Sequence, residues 1–401
     1  MFNVVIKRNI FYLIFIEIFF SGCSSDKQMK DGLPFIDIRK NYPEKEIILD
    51  EIADITYIHL NTENDDYLYR GGILDVTENT IVVNDATSGS ILFFSKDGNP
   101  KSRFNRKGQS GEDYIDVRIV QYDEAADDVF VLPSVTHNKL QVYSSTGKYK
   151  RTIVLPQGTF VNPYVSFDDE SLFVYDSSIE RRKLFPDDEN LTIEYFSSPF
   201  VLISKTDGRV LDYVELSSKN IRLSDMSVDS EMGGLSVIKS YLIKCKEGVL
   251  ICNPETDTVF LYNKNRLLIP VICKTPLVSA LDPMVYMNNC VDVGRYQFME
   301  IFTVRWDYTA FSFPAKYFMR DKETGEIFRQ KIVLSDYKGK EFIISPLKSG
   351  RNYETGPWFI LDLIELKDAY KENRLSGKLK ELVETLNEME DNDVFMFVNF
   401  K

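Results

Sequence analysis

Apolar and polar residues alternate in short runs along most of the chain, and the clearest example lies between residues 71 and 104. Alternation with a period of two is typical of strands with one buried face. Polar turns such as Asp97-Gly98 separate the runs, as expected for antiparallel hairpins. The pattern predicts a four-stranded sheet with strands at residues 71–76, 81–84, 91–95 and 101–104.

Weaker copies of this unit follow at a spacing of roughly fifty to sixty residues, which is within reach of propeller blades with loop insertions. The second copy has predicted strands at residues 118–122, 129–132, 140–144 and 150–154. The third has them at residues 164–167, 171–175, 200–204 and 210–216. The fourth has them at residues 241–245, 249–252, 258–262 and 267–272. The fifth runs from about Tyr296 through residues 305–312, 317–320 and 327–334.

A sixth unit can be assembled from the two ends of the chain. Apolar runs remain at residues 342–344, 358–366 and 394–400, and an early run lies at residues 52–60. If the early run pairs with the last one, the sheet edges of a linear array disappear. The sequence therefore predicts an all-β protein, a six-bladed β-propeller over residues 46–401 closed by pairing of N- and C-terminal strands.

One stretch near the C-terminus has helical rather than strand periodicity. Its apolar residues recur at spacings of three and four, and Ser376 is available as a cap: Leu375, Leu379, Leu382, Val383, Leu386 and Met389. We expect a helical insertion in the last blade that packs on its own domain. Binding to a membrane or partner is the alternative, and the many glutamates beside the stripe argue against anionic lipid.

The first 22 residues have the features of a secretory signal. Lys7 and Arg8 precede an apolar run that is too short to span a bilayer. The run ends in Phe20-Ser21-Gly22-Cys23, which resembles a bacterial lipobox, so we expect lipid on Cys23 and a tether over residues 23–45. Ser24 favours an outer-membrane site, on its periplasmic side or at the cell surface. An uncleaved anchor helix is the alternative.

Composition restricts the possible partners and chemistry. The net charge of −13 disfavours binding to nucleic acid. Only two histidines, His59 and His137, occur, which excludes metal sites with several histidine ligands, and we predict no metal and no cofactor. Of the five cysteines, the four other than Cys23 are predicted to be buried free thiols, although an envelope protein could pair them: Cys245, Cys252, Cys273 and Cys290.

Several motifs together resemble the six-bladed β-propeller lipoproteins of the Bacteroidetes, relatives of the NHL-repeat propellers. They are the lipobox at Cys23, the segment ITYIHLNTEND at residues 55–65, the loop RKGQSGEDY at residues 106–114, the Gly356-Pro357-Trp358 element and the acidic turn and strand at residues 390–400. In the loop, Ser110 replaces a common proline and Asp113 is inserted. The resemblance implies the architecture and residence in the cell envelope, and it carries no biochemical role.

The predicted architecture places two kinds of loop on one face of the ring. These are the loops between successive blades and the loops between the second and third strands of a blade, because strands alternate in direction. Candidate ligand-binding residues on this face are Arg106, Lys107, Glu112, Tyr114, His137, Arg181, Arg182, Arg351, Tyr353 and Trp358. Structural roles are the alternative for Glu112, which could bind backbone N–H groups between blades, and for Trp358, which could cap the core.

The expected function is that of a lipid-anchored, non-catalytic binding or scaffold module. Its partner would be a glycan, a peptide or an envelope protein at the channel face, and its membrane contact would be the N-terminal lipid. No residue is predicted to be catalytic, since no motif would activate a nucleophile near His137. The alternative is a polysaccharide lyase or glycosidase that uses arginine, tyrosine and carboxylates, for example Tyr114 and Glu112.

Overall fold

Six sheets, built mainly of antiparallel strands, are arranged as the blades of a propeller around a central channel. The computed structural model describes residues 29–30, 32–62, 65–134, 136–178, 196–216, 227–228, 235–236, 241–253, 256–310, 312–346, 348–350 and 352–401. From the first blade to the fifth, the inner strand of each blade contacts the inner strand of the next. The predicted all-β, six-bladed architecture is therefore confirmed.

Blades 1 to 3 are regular four-stranded sheets whose strands follow the chain from the channel outward. Blade 1 contains Gly71–Val76, Thr80–Asp85, Ser90–Ser95 and Pro100–Phe104. Blade 2 contains Ile119–Asp123, Asp128–Leu132, Lys139–Tyr143 and Tyr149–Val154. Blade 3 contains Val161–Ser166, Ser171–Asp176, Phe200–Ser204 and Val210–Val214. All twelve strands occupy the positions that the alternating pattern predicts.

Blades 4 and 5 are widened at their outer edges by the start of the chain. Blade 4 contains Tyr241–Cys245, Gly248–Cys252, Thr258–Asn263 and Leu268–Thr275. Blade 5 contains Val285–Val293, Tyr296–Thr303, Ala315–Asp321, Ile327–Leu334 and Tyr337–Phe342. Leu33–Asp37 pairs in parallel with the outer strand of blade 4, and Met29–Lys30 folds back on it. Glu44–Ile48 pairs in parallel with Ile327–Leu334.

These edge strands correct two predictions. The tether expected over residues 23–45 is shorter, since residues 33–37 belong to a sheet and Ile36 is fully buried against blade 4. The inner strand of blade 5 is Val285–Val293, which the sequence analysis missed, whereas most of the predicted strand at 305–312 is a loop. The missed strand contains the polar pair Asn288-Asn289, which interrupts the apolar alternation.

Blade 6 closes the ring with strands from both ends of the chain. Its three strands, from the channel outward, are Trp358–Leu361, Val394–Phe400 and Ala53–His59. Seven residue pairs, from Val394 opposite His59 to Phe400 opposite Ala53, join the last two strands. The predicted pairing of the two termini is thus confirmed. Residues 342–344 do not contribute to this blade, because Phe342 ends the last strand of blade 5.

Among the described residues there are three short α-helices, α1 at Leu49–Ile52, α2 at Leu363–Lys371 and α3 at Gly377–Thr385, and one 3₁₀ turn at Val278–Ala280. Helices α2 and α3 connect the first two strands of blade 6, as the predicted insertion requires. Leu379 and Val383 are buried against the domain, whereas Met389 lies beyond α3 and is 75% exposed. The predicted strand at 358–366 ends at Leu361, because Asp362 caps α2 through the Glu365 amide.

Glycine turns between the third and fourth strands allow neighbouring blades to pack closely. Gly147 has a φ of +80° in blade 2, and a Cβ atom there would lie 2.5 Å from Phe104 Cβ of blade 1. Gly98 has a φ of +87° in blade 1, and a Cβ atom there would lie 2.0 Å from the His59 carbonyl oxygen of blade 6. Left-handed backbone and the lack of a side chain are both required at these turns.

The four cysteines of blades 4 and 5 are buried and free, as predicted. Burial raises the pKa of the Cys245 and Cys252 thiols to about 12 and raises that of Cys290 well above its ordinary value. No helix among the described residues is long and apolar enough to cross a membrane. Cys23 and the predicted signal segment lie outside the described residues.

Candidate functional site

The two faces of the ring are distinguished by strand direction. We call the upper face the one at which the inner strands of blades 1 to 5 begin, and the lower face the one at which they end. Loops between blades and loops between second and third strands open on the upper face. Hairpins between first and second strands, and between third and fourth strands, open on the lower face.

A segment between blades 5 and 6 crosses the channel. We call the described residues 345–346, 348–350 and 352–356 the channel segment. The Tyr353 amide donates to the Lys244 carbonyl oxygen of blade 4 at 2.8 Å, and Asn352 Nδ2 donates to the Val76 carbonyl oxygen of blade 1 at 3.0 Å. Lys244 Nζ also pairs with Glu354 at 2.7 Å. Because blades 1 and 4 stand opposite each other in a ring of six, this segment bridges the channel and leaves a cavity on each side.

The upper cavity has a volume of about 550 Å³ and is lined by inner strands of blades 1, 2, 3 and 6 together with the channel segment. Two cationic side chains, Arg118 and Lys348, line it. An indole ring, Trp358, and the half-exposed side chain of Ile360 lie in the same wall. Asp75 is the acidic residue of the lining. The cavity is therefore basic and partly apolar, although the whole chain has a net charge of −13.

The Arg118 guanidinium is positioned at the rim by a histidine and a phenylalanine. Arg118 Nη1 lies 3.1 Å from His137 Nδ1. The His137 and Phe160 rings have centroids 3.6 Å apart, and Arg118 Cζ lies 5.6 Å from the Phe160 ring centroid. Since a guanidinium only donates, His137 Nδ1 accepts this hydrogen bond. His137 thus contributes to the cavity by positioning the Arg118 guanidinium.

Trp358 is held in place by its neighbours. Its ring stacks on Phe395 with centroids 5.3 Å apart. Gly350 of the channel segment, with a φ of +79°, fits against the indole edge, where an added Cβ would lie 2.3 Å from Trp358 Nε1. The Nε1 atom is buried and has no hydrogen-bond acceptor among the described residues. The ring therefore presents an apolar surface in a fixed orientation.

Asp75, Gln121 and Asn352 line both cavities and form the waist of the channel. The Asp75 carboxylate accepts the Val76 amide at 2.9 Å and the Tyr122 amide at 2.8 Å. Burial raises the pKa of this carboxyl group, although the two hydrogen bonds act to lower it. Gln121 Oε1 accepts the Ser166 amide at 3.2 Å. These side chains connect the inner strands of successive blades, so the floor of the upper cavity is fixed.

The predicted loop residues 106–114 form a structural element beside blades 1 and 2. Tyr114 is fully buried, and its hydroxyl donates to the Gly89 carbonyl oxygen and accepts the Arg106 amide. Burial raises its pKa to about 12. The Arg106 guanidinium pairs with Asp113 at 3.1 Å. The structure therefore assigns Tyr114 to the core, which the apolar strands on either side of the loop do not reveal.

Three further candidates lie away from the upper cavity. The Glu112 side chain is exposed, and its carbonyl oxygen, not its carboxylate, accepts the Tyr143 hydroxyl at 2.7 Å. Lys107 packs along Gly89 through its methylene groups. Tyr353 is buried, and its hydroxyl lies 2.8 Å from Ser349 Oγ. Arg181, Arg182 and Arg351 lie outside the described residues. Of the predicted set, Trp358 lines the cavity and His137 contacts a lining residue.

Sequence reasoning missed Arg118 and Lys348. Arg118 immediately precedes the inner strand of blade 2, where a side chain reaches the channel mouth. The sequence could have indicated that Arg118 lies at the channel, because the strand that it precedes was predicted. Lys348 belongs to the channel segment, and no periodicity indicates that this segment crosses the channel. No group of histidine, cysteine, aspartate or glutamate side chains in the described parts of the chain has the geometry of a metal site.

The lower cavity is larger, about 1000 Å³, and is lined mainly by hairpins of blades 1 to 4. Carboxylates come from blades 1, 2 and 3 and include Glu78, Asp123 and Asp168. Lysines come from blades 3 and 4 and are Lys205, Lys244, Lys246 and Lys264. Two of these lysines form ion pairs within the cavity: Lys205 Nζ lies 2.6 Å from Asp123, and Lys244 pairs with Glu354.

Comparison with known proteins agrees with this architecture. Residues 24–197 match the family DUF5128, described as a 6-bladed beta-propeller. The match covers the N-terminal edge strands, blades 1 and 2 and part of blade 3. No curated protein matches the chain.

Two of the solved structures to which this chain is similar come from Bacteroides species. A Bacteroides fragilis NCTC 9343 protein named as exported is 16% identical, with a TM-score of 0.59 over 92% of this chain and 99% of its own. A member of the DUF4221 family from Bacteroides vulgatus ATCC 8482 is 9% identical, with a TM-score of 0.47 over 87% of this chain and 97% of its own. The first likeness, at 16% identity, shows the fold alone.

Proposed function

We propose that this protein is an exported, lipid-anchored binding module that takes an acidic glycan, such as a uronate oligosaccharide, in the upper cavity. The observation that carries the proposal is the convergence of Arg118, Lys348 and the Trp358 ring in one cavity of an acidic protein. A carboxylate would bind the guanidinium in a bidentate manner. The indole ring would stack on the apolar face of a sugar.

The size and rigidity of the cavity support a small-molecule ligand. Its volume of about 550 Å³ lies within the roughly 300–1,000 Å³ of small-molecule sites. The waist residues and the Phe395 stack hold its walls, so little conformational entropy would be lost on binding. A fixed wall with a few polar groups is the arrangement that gives orientation and specificity to such sites.

The anchoring part of the proposal depends on the N-terminal sequence. Phe20-Ser21-Gly22-Cys23 supports lipid attachment, and the family match begins at residue 24, directly after that cysteine. The structurally similar B. fragilis protein is named as exported. We propose on these grounds that the propeller is anchored to the outer membrane, with residues between Cys23 and the first edge strand as the tether.

We do not extend the proposal to catalysis. The enzymatic alternative needs Tyr114 as a proton donor and Glu112 as a carboxylate at the channel mouth. The Tyr114 hydroxyl is buried and bonded to backbone groups of residues 89 and 106. Glu112 points to solvent beside Arg106, 3.7 Å away, and does not line the upper cavity.

The proposal is tested by calorimetric titration with oligogalacturonates and with neutral galactose oligomers of the same length. We expect binding of the acidic oligomers only. Arg118→Gln with Lys348→Gln should lower the affinity at least about tenfold, because two charge-assisted contacts are lost. The matched control is Arg209→Gln with Lys316→Gln, two exposed cations outside the cavity. Equal affinity of both double variants, or equal binding of neutral oligomers, would refute the proposal.

A further inference from the structure

The lower cavity has oppositely charged walls. Glu78 follows the inner strand of blade 1, and Lys246 follows the inner strand of blade 4. Both line the cavity, as does Lys264 in the turn between the last two strands of blade 4. Blades 1 and 4 are diametrically opposed in the six-membered ring. The cavity therefore has a negative group on one side and two positive groups on the other.

These charges differ from most other ionised groups of the cavity, which are already paired; Asp169 of blade 3 is a further exposed carboxylate that forms no ion pair with a described residue. Lys205 and Asp123 form a buried pair, and Lys244 pairs with Glu354. Glu124 accepts hydrogen bonds from the Thr77 and Thr80 hydroxyls. By contrast, no described residue forms an ion pair with Glu78, Lys246 or Lys264, and all three are exposed.

The rest of the wall is polar and offers further hydrogen-bonding groups. Thr355 of the channel segment lines the cavity, and its Oγ1 atom is buried with no partner among the described residues. A buried hydroxyl without a partner costs free energy unless a ligand or water satisfies it. Asn79 and Ser166 lie in the same wall. A ligand for this cavity would thus be polar along its length and charged at both ends.

We propose that the lower cavity is a second binding site, for a short zwitterionic peptide. Its terminal ammonium would face Glu78, and its terminal carboxylate would face Lys246 and Lys264. An extended tripeptide spans about 10 Å, at roughly 3.4 Å per residue. The cavity volume of about 1000 Å³ accommodates such a ligand. A peptide amide group would satisfy the Thr355 hydroxyl.

This second site is independent of the proposed glycan site. The channel segment and the waist of Asp75, Gln121 and Asn352 separate the two cavities. Arg118, Lys348 and Trp358 do not line the lower cavity. Loss of binding at one site should therefore leave the other unchanged.

The experiment is a calorimetric titration at low salt with trialanine, N-acetyl-trialanine and trialanine amide. We expect trialanine to bind, and either blocked peptide to bind at least about tenfold more weakly, because each has lost one terminal charge. Lys246→Gln with Lys264→Gln should weaken trialanine binding by the same factor. Glu78→Gln should do so as well.

Lys316→Gln, on the third strand of blade 5, is the matched control, and the double variant Arg118→Gln/Lys348→Gln should keep full trialanine affinity. The substituted side chains of the lower cavity are exposed, and circular dichroism will show that the variants are folded. Absence of binding by trialanine, equal binding of the blocked peptides, or wild-type affinity in the lower-cavity variants would overturn the proposal.

Discussion

Tyr57 lies directly opposite Met396 in the antiparallel strand pair that closes the ring. The two residues are separated by nearly the whole described chain, and Met396 is fully buried in the shared core of the last blades. The Tyr57 hydroxyl extends this junction by donating to Asp336 Oδ1 at 2.7 Å. Closure of the propeller is thus a packing contact as well as a hydrogen-bonded ladder.

We expect Met396→Ala to destabilise the protein by about 2–5 kcal/mol, because it removes a buried side chain and leaves a cavity at the closure. The measurement is urea-induced unfolding followed by circular dichroism. Asn399→Ala, an exposed position on the same strand, is the control and should change the free energy of unfolding by less than about 0.5 kcal/mol. Equally small losses of unfolding free energy in both variants would show that the strand stabilises the closure through its backbone hydrogen bonds alone.

The glycine turns between blades provide a second matched pair. Gly147→Ala introduces a Cβ atom against Phe104 in a left-handed backbone. Gly339 also has a positive φ, of +78°, but a Cβ atom added there has no other atom within 4 Å. Backbone strain alone should cost about 1–2 kcal/mol in Gly339→Ala. Gly147→Ala should cost about 1–3 kcal/mol more, because the blades must separate. Equal midpoints in urea would mean that the blades adjust without cost.

Glu300 gives the stability a defined pH dependence. Burial raises the pKa of its carboxyl group, although Asn288 and Asn289 donate hydrogen bonds to it. A carboxyl group with a raised pKa favours the folded state when it is protonated. Its contribution is complete below the glutamate pKa of the unfolded chain and is lost as the pH rises through the higher folded value.

Glu300→Gln should therefore gain stability relative to the wild type as the pH rises from the acidic range to neutrality. The measurement is the urea midpoint of both proteins across that range. Glu341→Gln, an exposed carboxylate in blade 5, is the control and should follow the wild type. A constant difference between wild type and Glu300→Gln would contradict the assignment of this titration.

The thiols give a test of lipid attachment. Four cysteines are buried and free, and burial raises the pKa of the Cys245 and Cys252 thiols to about 12, so a thiol reagent should not react with the native protein. After unfolding, a chain isolated from membranes should show four reactive thiols under the proposal that Cys23 of the five carries lipid. Cys23→Ala should leave the membrane fraction. Five reactive thiols in membrane-derived protein would refute lipidation of Cys23.

The local pattern of apolar runs and polar turns predicts much of this fold. The three regular blades that begin at Gly71 have short apolar runs separated by polar turns that contain glycine, and both are local properties of the chain. The inner strand of blade 5 escaped prediction because Asn288 and Asn289 interrupt that alternation. Both amides face Glu300 inside the blade. A buried polar cluster is satisfied by partners that are distant in sequence, so no local pattern marks it.

The sequence by itself determined the blade units, the closure of the ring by Ala53–His59 and Val394–Phe400, and the free thiols, because periodicity and apolar surroundings are written along the chain. Only the tertiary structure decided which side chains meet in the channel. It buried Tyr114, brought Arg118 and Lys348 together, and placed the channel segment between two cavities of different charge. Such contacts depend on how blades that are far apart in sequence are arranged around a common axis.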